Sequence, residues 1–229
     1  GFNLRLDTPF QDKGVRQALN FAVDREEFIK TTAVGRAVMA KGVFPPGLPC
    51  YNPNLEGYTY DRDRARLLLE EAGYPNGLPS RYRLDLRDSE LHVKRGELVR
   101  GYLEAVGVKL TLNPVPWEEL LGLVRSGEST LFMMGWISDT GDPDNFLYPL
   151  FFSLNRGERG NTTFYENPEV DELILRARVE KNPHKRLRLC QEAEKLIVAD
   201  PPWIFLFHPI NSFVYRPGVH GFRVHPLSF

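Results

Sequence analysis

The sequence has no long apolar run, no excess of charge of either sign and only two cysteines. A membrane-spanning helix needs about 20 consecutive apolar residues, whereas apolar runs such as residues 203–207 are far shorter. The 29 basic and 30 acidic residues are interleaved and leave a net charge of −1. Because nucleic acids and anionic membrane surfaces attract basic patches, this balance argues against both, and we expect no nucleic-acid partner.

The chain also has few of the motifs that carry catalysis or bind metal. Its five histidines form no His-x-x-x-His pair with a glutamate, so the sequence predicts no zinc site. Residues 139–141 spell the Asp-Thr-Gly of aspartic proteases, but that chemistry needs two opposed copies and only one is present. Asp142 and Asp144 follow without the spacing of a calcium loop. We therefore expect no catalytic residue, no metal and no cofactor.

The two cysteines leave their own pairing open. Cys50 lies in a proline-rich loop and Cys190 on a predicted helix. Two cysteines are too few for a disulfide scaffold, and neither lies in a Cys-x-x-Cys motif. They could form one bond, or Cys190 could simply be a small core residue.

Helical periodicity alternates with short apolar runs along the chain. Helices are predicted over residues 12–32, 61–71, 89–106, 117–125, 168–181 and 184–198, and strands over 82–86, 108–114, 130–136 and 204–208, with a weaker strand at 212–215. A strand, a long helix and another strand form the pattern of a parallel crossover. The pattern therefore predicts an α/β lobe with a mixed sheet and helices packed on its faces.

The most informative segment joins a predicted buried strand to a crowded turn. The apolar residues 131–134 predict a strand that stops at Gly135 and Trp136, and three aspartates, a proline and another glycine follow at once. Ligands of open α/β sheets bind at such strand ends. An acidic, solvated turn is the plainer alternative for the segment, as core packing is for Trp136.

Residues 135–147 resemble the Gly-Trp-x-x-Asp…Asp-Pro-x-x-Phe-Leu signature of extracytoplasmic receptors of the peptide/nickel class of ABC importers. Further blocks are similar to this family in the same order: residues 9–25, 60–77, 161–174 and the closing Gly-Phe at 221–222. Members of the family are about twice as long. The resemblance therefore implies that the chain corresponds to their C-terminal half, without the N-terminal lobe and the export signal.

The resemblance assigns the amine of a peptide ligand to Asp139, three residues after Trp136. A buried carboxylate that pairs with an ammonium contributes about 1.5–3 kcal/mol as a charge-assisted hydrogen bond. Gly135 and Ile137 can offer backbone groups to an extended ligand. Trp136 can form the wall of an adjacent side-chain pocket and exclude water.

The anchor for the ligand carboxylate is less closely defined. Arg87, just after a predicted strand, is the nearest match to the family position, although it could instead form an ordinary surface pair with Asp88. Trp117 resembles a tryptophan of the family's Pro-Trp-x-Glu turn, but we expect it to be a core residue at the start of a helix.

These assignments imply a non-catalytic receptor that captures dipeptides or oligopeptides for an ABC importer. The expected location is extracytoplasmic, either periplasmic or as a lipoprotein on the outer face of the membrane, and the expected partners are a peptide, the importer's membrane subunits and an N-terminal lobe. A receptor of the same fold for haem, a nickel chelate or a sugar is an alternative. A hydrolase is a third possibility, against which the absence of a nucleophile–base pair argues.

The expected organisation is a periplasmic-binding-protein-like α/β lobe over residues 1–200 and an extended segment over 201–229 that returns toward the absent lobe. Surfaces that meet that lobe are expected to be apolar, which favours self-association. The candidates are Phe205, Phe207, Phe213 and Tyr215.

Overall fold

A computed structural model describes residues 1–216 and 218–221. Within them, helices and strands alternate as the periodicity predicts. The α-helices are α1 (Lys13–Ala22), α2 (Arg25–Ala33), α3 (Arg62–Glu71), α4 (Glu90–Glu104), α5 (Trp117–Ser126), α6 (Asp144–Phe151), α7 (Pro168–Val179) and α8 (Pro183–Ala199). The strands are β1 (Ala37–Met39), β2 (Arg81–Arg87), β3 (Lys109–Val115), β4 (Leu131–Phe132) and β5 (Phe207–Pro209).

A parallel sheet of order β3-β2-β4 occupies the middle of the chain. Because parallel neighbours need a crossover, α4 connects β2 to β3 and α5 connects β3 to the short β4. Phe2 adds an antiparallel bridge to Leu131, and β1 and β5 form a separate antiparallel pair. The predicted fold class, α/β with a mixed sheet flanked by helices, is confirmed.

Side-chain caps determine where several helices begin. Ser89 accepts a hydrogen bond from the backbone of His92, and Asp61 accepts one from Arg64. Asp24 accepts one from the backbone of Glu27, so that α2 begins at Arg25, and α1 ends before this cap, at Ala22. The single helix predicted over residues 12–32 is therefore two helices, because a cap inside the periodic pattern interrupts it.

The sequence prediction is wrong at two other places in this region of the sheet. The strand predicted over residues 130–136 is reduced to the two residues of β4, since only Leu131 and Phe132 pair with β2. The sequence analysis predicts a turn and no helix where α6 lies. Pro143 occupies the N-cap position of this helix, without a side-chain hydrogen bond, and Pro149 lies inside it.

Apolar side chains form two main cores. One lies between the sheet and the N-terminal helices, where Phe10, Leu19 and Leu86 are fully buried. The other lies among α6, α7 and α8, around Phe151 and Ile197. These cores hold the carboxyl ends of the sheet strands in place, which positions the candidate site.

Buried polar side chains from α1 and α2 hold the chain that follows α8. Arg16 donates to the carbonyl of Pro201 over 3.0 Å, and Asn20 donates to that of Trp203 over 2.8 Å. Arg25 donates to the carbonyl of Phe205. The segment after α8 thus packs on the lobe as far as β5.

The apolar surface expected in this segment differs from the structure. Phe205 is only 4% exposed, so that expectation is wrong, because its ring packs beside Trp203 in the second core. Phe207 is half-buried against Phe28, whereas Phe213 and Tyr215 are exposed. The described residues 210–216 contain no strand where the weaker one was predicted. Phe222 and the rest of the predicted extended segment lie outside the described residues.

Candidate functional site

The carboxyl ends of the three parallel strands meet at one edge of the sheet. Arg87 is the last residue of β2, Trp117 follows β3, and residues 133–143 follow β4. Since β2 is the central strand, with β3 and β4 on either side, the residues after all three strands are neighbours. The sequence-predicted site residues are therefore brought to a common edge.

The loop between β4 and α6 is organised by Asn145, at the start of α6. Its backbone carbonyl accepts a hydrogen bond of 2.8 Å from the Trp136 indole. Pro149 has no N–H and cannot make the helical bond to that carbonyl, which leaves the carbonyl free for Trp136. The Asn145 side chain accepts a 3.0 Å bond from the Asp139 backbone N–H. One residue thus positions both the ring and the aspartate.

A second group of contacts fixes the far side of the same loop. The buried Ser138 hydroxyl accepts a 2.9 Å bond from the backbone of Gly141. Asp142 receives two hydrogen bonds, of 2.6 and 2.9 Å, from the Arg186 guanidinium on α8, and these hold the pKa of Asp142 below its usual range. The loop is therefore tied to α8 as well as to α6.

Asp144 connects the start of α6 to α7 through a contact with Arg178. It lies 3.2 Å from Arg178 of α7, whose guanidinium stacks 3.5 Å from the centre of the Tyr148 ring. Burial raises the pKa of Asp144, and Arg178 acts in the opposite direction. The sequence analysis missed these pairings, because Arg178 and Arg186 are distant in sequence and carry no local signal.

The residues left facing solvent are those predicted to meet a ligand. Trp136 is 42% exposed and Ile137 is 78% exposed, and Gly135 and Asp139 are exposed as well. In the described part of the chain, no ion pair involves the Asp139 carboxylate.

Arg87 lies at the same edge, beside the amino end of α4. Its guanidinium is exposed and forms no ion pair with any described residue, so the alternative of a pair with Asp88 is not seen. The pKa of His92 on α4 is lowered by burial and then by the nearby Arg95 and Arg87. The amino end of α4, capped by Ser89, adds the positive end of the helix dipole. The acidic Asp88 and Glu90 flank the same helix start, so Arg87 and the helix dipole are the features of this part of the edge that attract an anion.

Asp85 in β2 and Trp117 at the start of α5 also lie near this edge, one buried and the other exposed. Asp85, fully buried in β2, accepts bonds from Ser129 (2.6 Å) and Asn113 (2.7 Å) and pairs with Arg83, so it is part of the sheet structure. Trp117 is 39% exposed, so the expectation that it packs in the core is wrong. It adds a second exposed indole to the edge.

A cleft of about 840 Å³ lies away from this edge, between the N-terminal segment and α8. Two of its arginines already have carboxylate partners. Arg16 pairs with Asp200, and Arg156 pairs with Glu166 over 2.6 Å.

Residues 1–158 match the family described as "Bacterial extracellular solute-binding proteins, family 5 Middle". The chain belongs to this family. The similarity extends beyond those residues, since Heme-binding protein A of Haemophilus influenzae is 35% identical over 224 residues, which cover 96% of this chain. The Dipeptide-binding protein of Escherichia coli is 32% identical over 227 residues, again 96% of this chain. The resemblance stated from the sequence blocks is confirmed.

A solved family structure has the same fold. The periplasmic binding protein DppA from Helicobacter pylori, in complex with the peptide STSA, superposes with a TM-score of 0.85 at 29% identity over 91% of this chain. The match covers 40% of that chain, and this chain spans 41% and 42% of the length of the two curated relatives. The family is one of solute-binding proteins, and these three relatives are more than twice as long as this chain.

Two further properties of the described residues concern membrane-spanning helices and metal-ligating side chains. None of their helices combines the length and the apolar character required to cross a membrane. Among the same residues, no three histidine, cysteine, aspartate or glutamate side chains are grouped so that they could hold a metal ion.

Proposed function

We propose that the protein captures peptides for an ABC importer outside the cytoplasm and does not transform them chemically. The observation that carries this proposal is the presence at one sheet edge of two opposite charges, the Asp139 carboxylate and the Arg87 guanidinium, that form no ion pair with any residue the structure describes. A free peptide carries the complementary pair, an ammonium and a carboxylate. Few other abundant solutes combine these two charges with an extended backbone.

Each part of the edge has a proposed role. Asp139 pairs with the ligand ammonium, and Arg87, with the amino end of α4, receives the ligand carboxylate. Gly135 and Ile137 offer backbone groups to the peptide chain, as an edge strand would. The Trp136 ring, held by Asn145, forms one side of an adjacent pocket.

The complete receptor has a second lobe in this proposal. The relatives are more than twice the length of the matched region, and Asp139 and Trp136 lie open to solvent in this lobe. We propose that an N-terminal lobe closes over the edge, that the extended segment after residue 201 leads toward that lobe, and that the closed protein delivers its ligand to the importer's membrane subunits.

The absence of catalysis is part of the proposal. At this edge the Ser89 hydroxyl lies 2.6 Å from His92 Nδ1, but Ser89 caps α4 and no described residue orients the imidazole through its other nitrogen, so the pair lacks the oriented base that hydrolysis of a peptide would require. Incubation of the full-length protein with fluorogenic peptides tests this point. Turnover that survives further purification would contradict it.

The main test is calorimetry on the full-length protein. Asp139→Asn keeps the shape of the side chain and removes its charge, so peptide affinity should fall by about 1.5–3 kcal/mol, or roughly 10- to 150-fold. The matched control is Asp63→Asn on α3, a fully exposed aspartate distant from the edge, which should leave affinity unchanged. N-acetylated peptides should bind the unaltered protein weakly. Equal binding of acetylated and free peptides would show that Asp139 does not anchor an amine.

A second candidate function follows from one comparison. Because a relative named Heme-binding protein A is 35% identical, a haem receptor of the same fold is the alternative to test. Titration with haem, followed by its absorption band, distinguishes the two. Stoichiometric haem binding that excludes peptides would replace the peptide assignment.

A further inference from the structure

The two cysteines, 140 positions apart in the sequence, meet in the second core. Cys50 is 3% exposed and Cys190 is 1% exposed, and both belong to the apolar cluster around α6, α7 and α8. Both are free thiols in the structure, and they lie close enough for each to shift the pKa of the other. Local sequence patterns do not predict a contact between residues so far apart in the chain. Only the tertiary fold brings these two side chains together.

The loop that carries Cys50 is attached to α8 at a second point. Glu194, one helical turn after Cys190 and on the same face, accepts a 2.9 Å hydrogen bond from the backbone of Phe44. Gly42 lies so close that a Cβ there would approach Glu194 to 2.7 Å. The backbone around the thiols is therefore held in register along α8, which limits how far the two sulfurs can separate.

The two thiols also lie close to the ion pair between Arg186 and Asp142. This ion pair supports the loop of residues 133–143, which we call the ligand loop. Arg186, one turn before Cys190, bonds Asp142, and both of these charged residues act on the two thiols. A connection between Cys50 and α8 would therefore stabilise the same part of α8 that holds the loop of Trp136 and Asp139.

We propose that Cys50 and Cys190 form a disulfide bond in the mature protein, which fastens the loop of residues 42–50 to α8 beneath the ligand loop. The oxidising location rests on the proposed extracytoplasmic function. No family property is needed for the pairing itself, which follows from the burial of both cysteines in one cluster and from the attachment of the Cys50 loop to α8.

The oxidation is a thiol–disulfide exchange with a small or protein disulfide such as oxidised glutathione. The Cys190 thiolate attacks one oxidant sulfur, which forms a mixed disulfide and releases one thiolate. The Cys50 thiolate then attacks the Cys190 sulfur and releases the second thiolate. Two electrons pass to the oxidant, whose two released sulfurs take up the two protons lost by the cysteines. Because both thiols are buried in the finished fold, the exchange takes place late in folding, after the loop of Cys50 has met α8 and before the core closes over the sulfurs.

The order of attack follows from the surroundings of the two sulfurs. The neighbouring Cys50 thiol lowers the pKa of Cys190, burial opposes this, and the nearby Arg186 lowers it further. The Cys190 thiol, together with burial, raises the pKa of Cys50. Cys190 is therefore the thiol that ionises and reacts first.

The test is a thiol assay by mass spectrometry. The chain is folded in a buffer of oxidised and reduced glutathione, unfolded in guanidinium with excess iodoacetamide, and digested without reductant. The expected result is a single linked peptide pair that contains Cys50 and Cys190, with neither cysteine alkylated. Full alkylation of both, or glutathione retained on either, would overturn the proposal.

A thermal measurement provides an independent check. A bond that closes so long a loop should raise the Tm of the oxidised chain above that of the reduced chain by about 10 °C. The control is the double variant Cys50→Ala, Cys190→Ala, whose Tm should not respond to reductant. An equal response of the double variant would contradict the assignment. The thiol assay needs no ligand, so failure of the peptide-binding proposal would be seen separately, in calorimetry.

Discussion

At the scale of single residues, Pro149 illustrates how one side chain changes the role of another. By removing a helical N–H, it leaves the Asn145 carbonyl available, and the Trp136 indole takes the vacant place. The exposed indole is thereby oriented without being packed into the core. Both of the roles considered for Trp136, packing and ligand contact, fit this arrangement, because one edge of the ring is bonded and a large part of its surface is open.

Glu194 is a buried acid whose ionisation is linked to folding. It is 2% exposed, and burial raises its pKa to about 7 from an ordinary 4.5. Because the folded-state pKa lies above the unfolded value, the associated stability is fully present below about pH 4.5 and is lost as the pH rises through about 7.

We expect Glu194→Gln to remove this pH dependence. The amide oxygen can still accept the Phe44 N–H, and the group never ionises. At pH 8 the variant should be more stable than the unaltered protein by about 2–3 kcal/mol, with a much smaller difference near pH 4.5. Urea unfolding at both pH values measures this, with Glu192→Gln, an exposed neighbour on α8, as the control. Parallel pH profiles for Glu194→Gln and the unaltered protein would show that Glu194 is not the linked group.

At the scale of elements, two buried arginines hold the segment that follows α8 by donating hydrogen bonds to its backbone carbonyls. Arg25, the first residue of α2, bonds the carbonyls of Asn20 (2.9 Å) and Phe205, and its burial lowers its pKa to about 10. Arg16 and Arg25 both lie in the block at residues 9–25 that resembles the family. Their contacts show that this block serves the fold, since it positions the segment that leads to β5.

Arg25→Met should therefore destabilise the lobe. Methionine is of similar length and apolar, but it leaves at least two buried carbonyls without a donor, so the free energy of unfolding should fall by about 3 kcal/mol or more. Urea unfolding followed by circular dichroism measures the change. Lys30→Met, at an exposed position on α2, is the control and should change stability by no more than about 0.5 kcal/mol. A similar small effect for Arg25→Met would mean that the segment after α8 does not depend on this anchor.

At the scale of the whole molecule, the proposed ligand-contact residues lie open to solvent in this chain. Asp139, Arg87 and two tryptophans face solvent, where the effective dielectric constant is high and a single ion pair contributes little. Clamp-type receptors gain affinity by enclosing the ligand, which excludes water and adds contacts from the second side.

We therefore expect the 229-residue chain to bind dipeptides no more tightly than about millimolar, or roughly −4 kcal/mol. Titration of this chain and of the full-length protein with the same dipeptide library compares the two directly. A micromolar complex with the chain alone would mean that this lobe carries the entire site.

The sequence by itself determined the elements and the family. Caps such as Asp61 and Ser89, the period of the apolar residues and the ordered blocks are local signals, so they predicted most helices, strands β2 and β3, the fold class and the segment that follows β4. The apolar period misled at Asp24, where a second local signal, an N-cap, divides the predicted helix, and at β4, which ends where its pairing with β2 ends.

Only the tertiary structure decided how the site is supported. The pairing of Asp142 with Arg186, the bond from Trp136 to Asn145, the burial of Phe205 and the contact of Cys50 with Cys190 all join groups whose separation in sequence bears no relation to their separation in space. The physical reason is that helices and turns depend on neighbours a few residues apart, whereas burial and ion pairing depend on which surfaces the folded chain brings together.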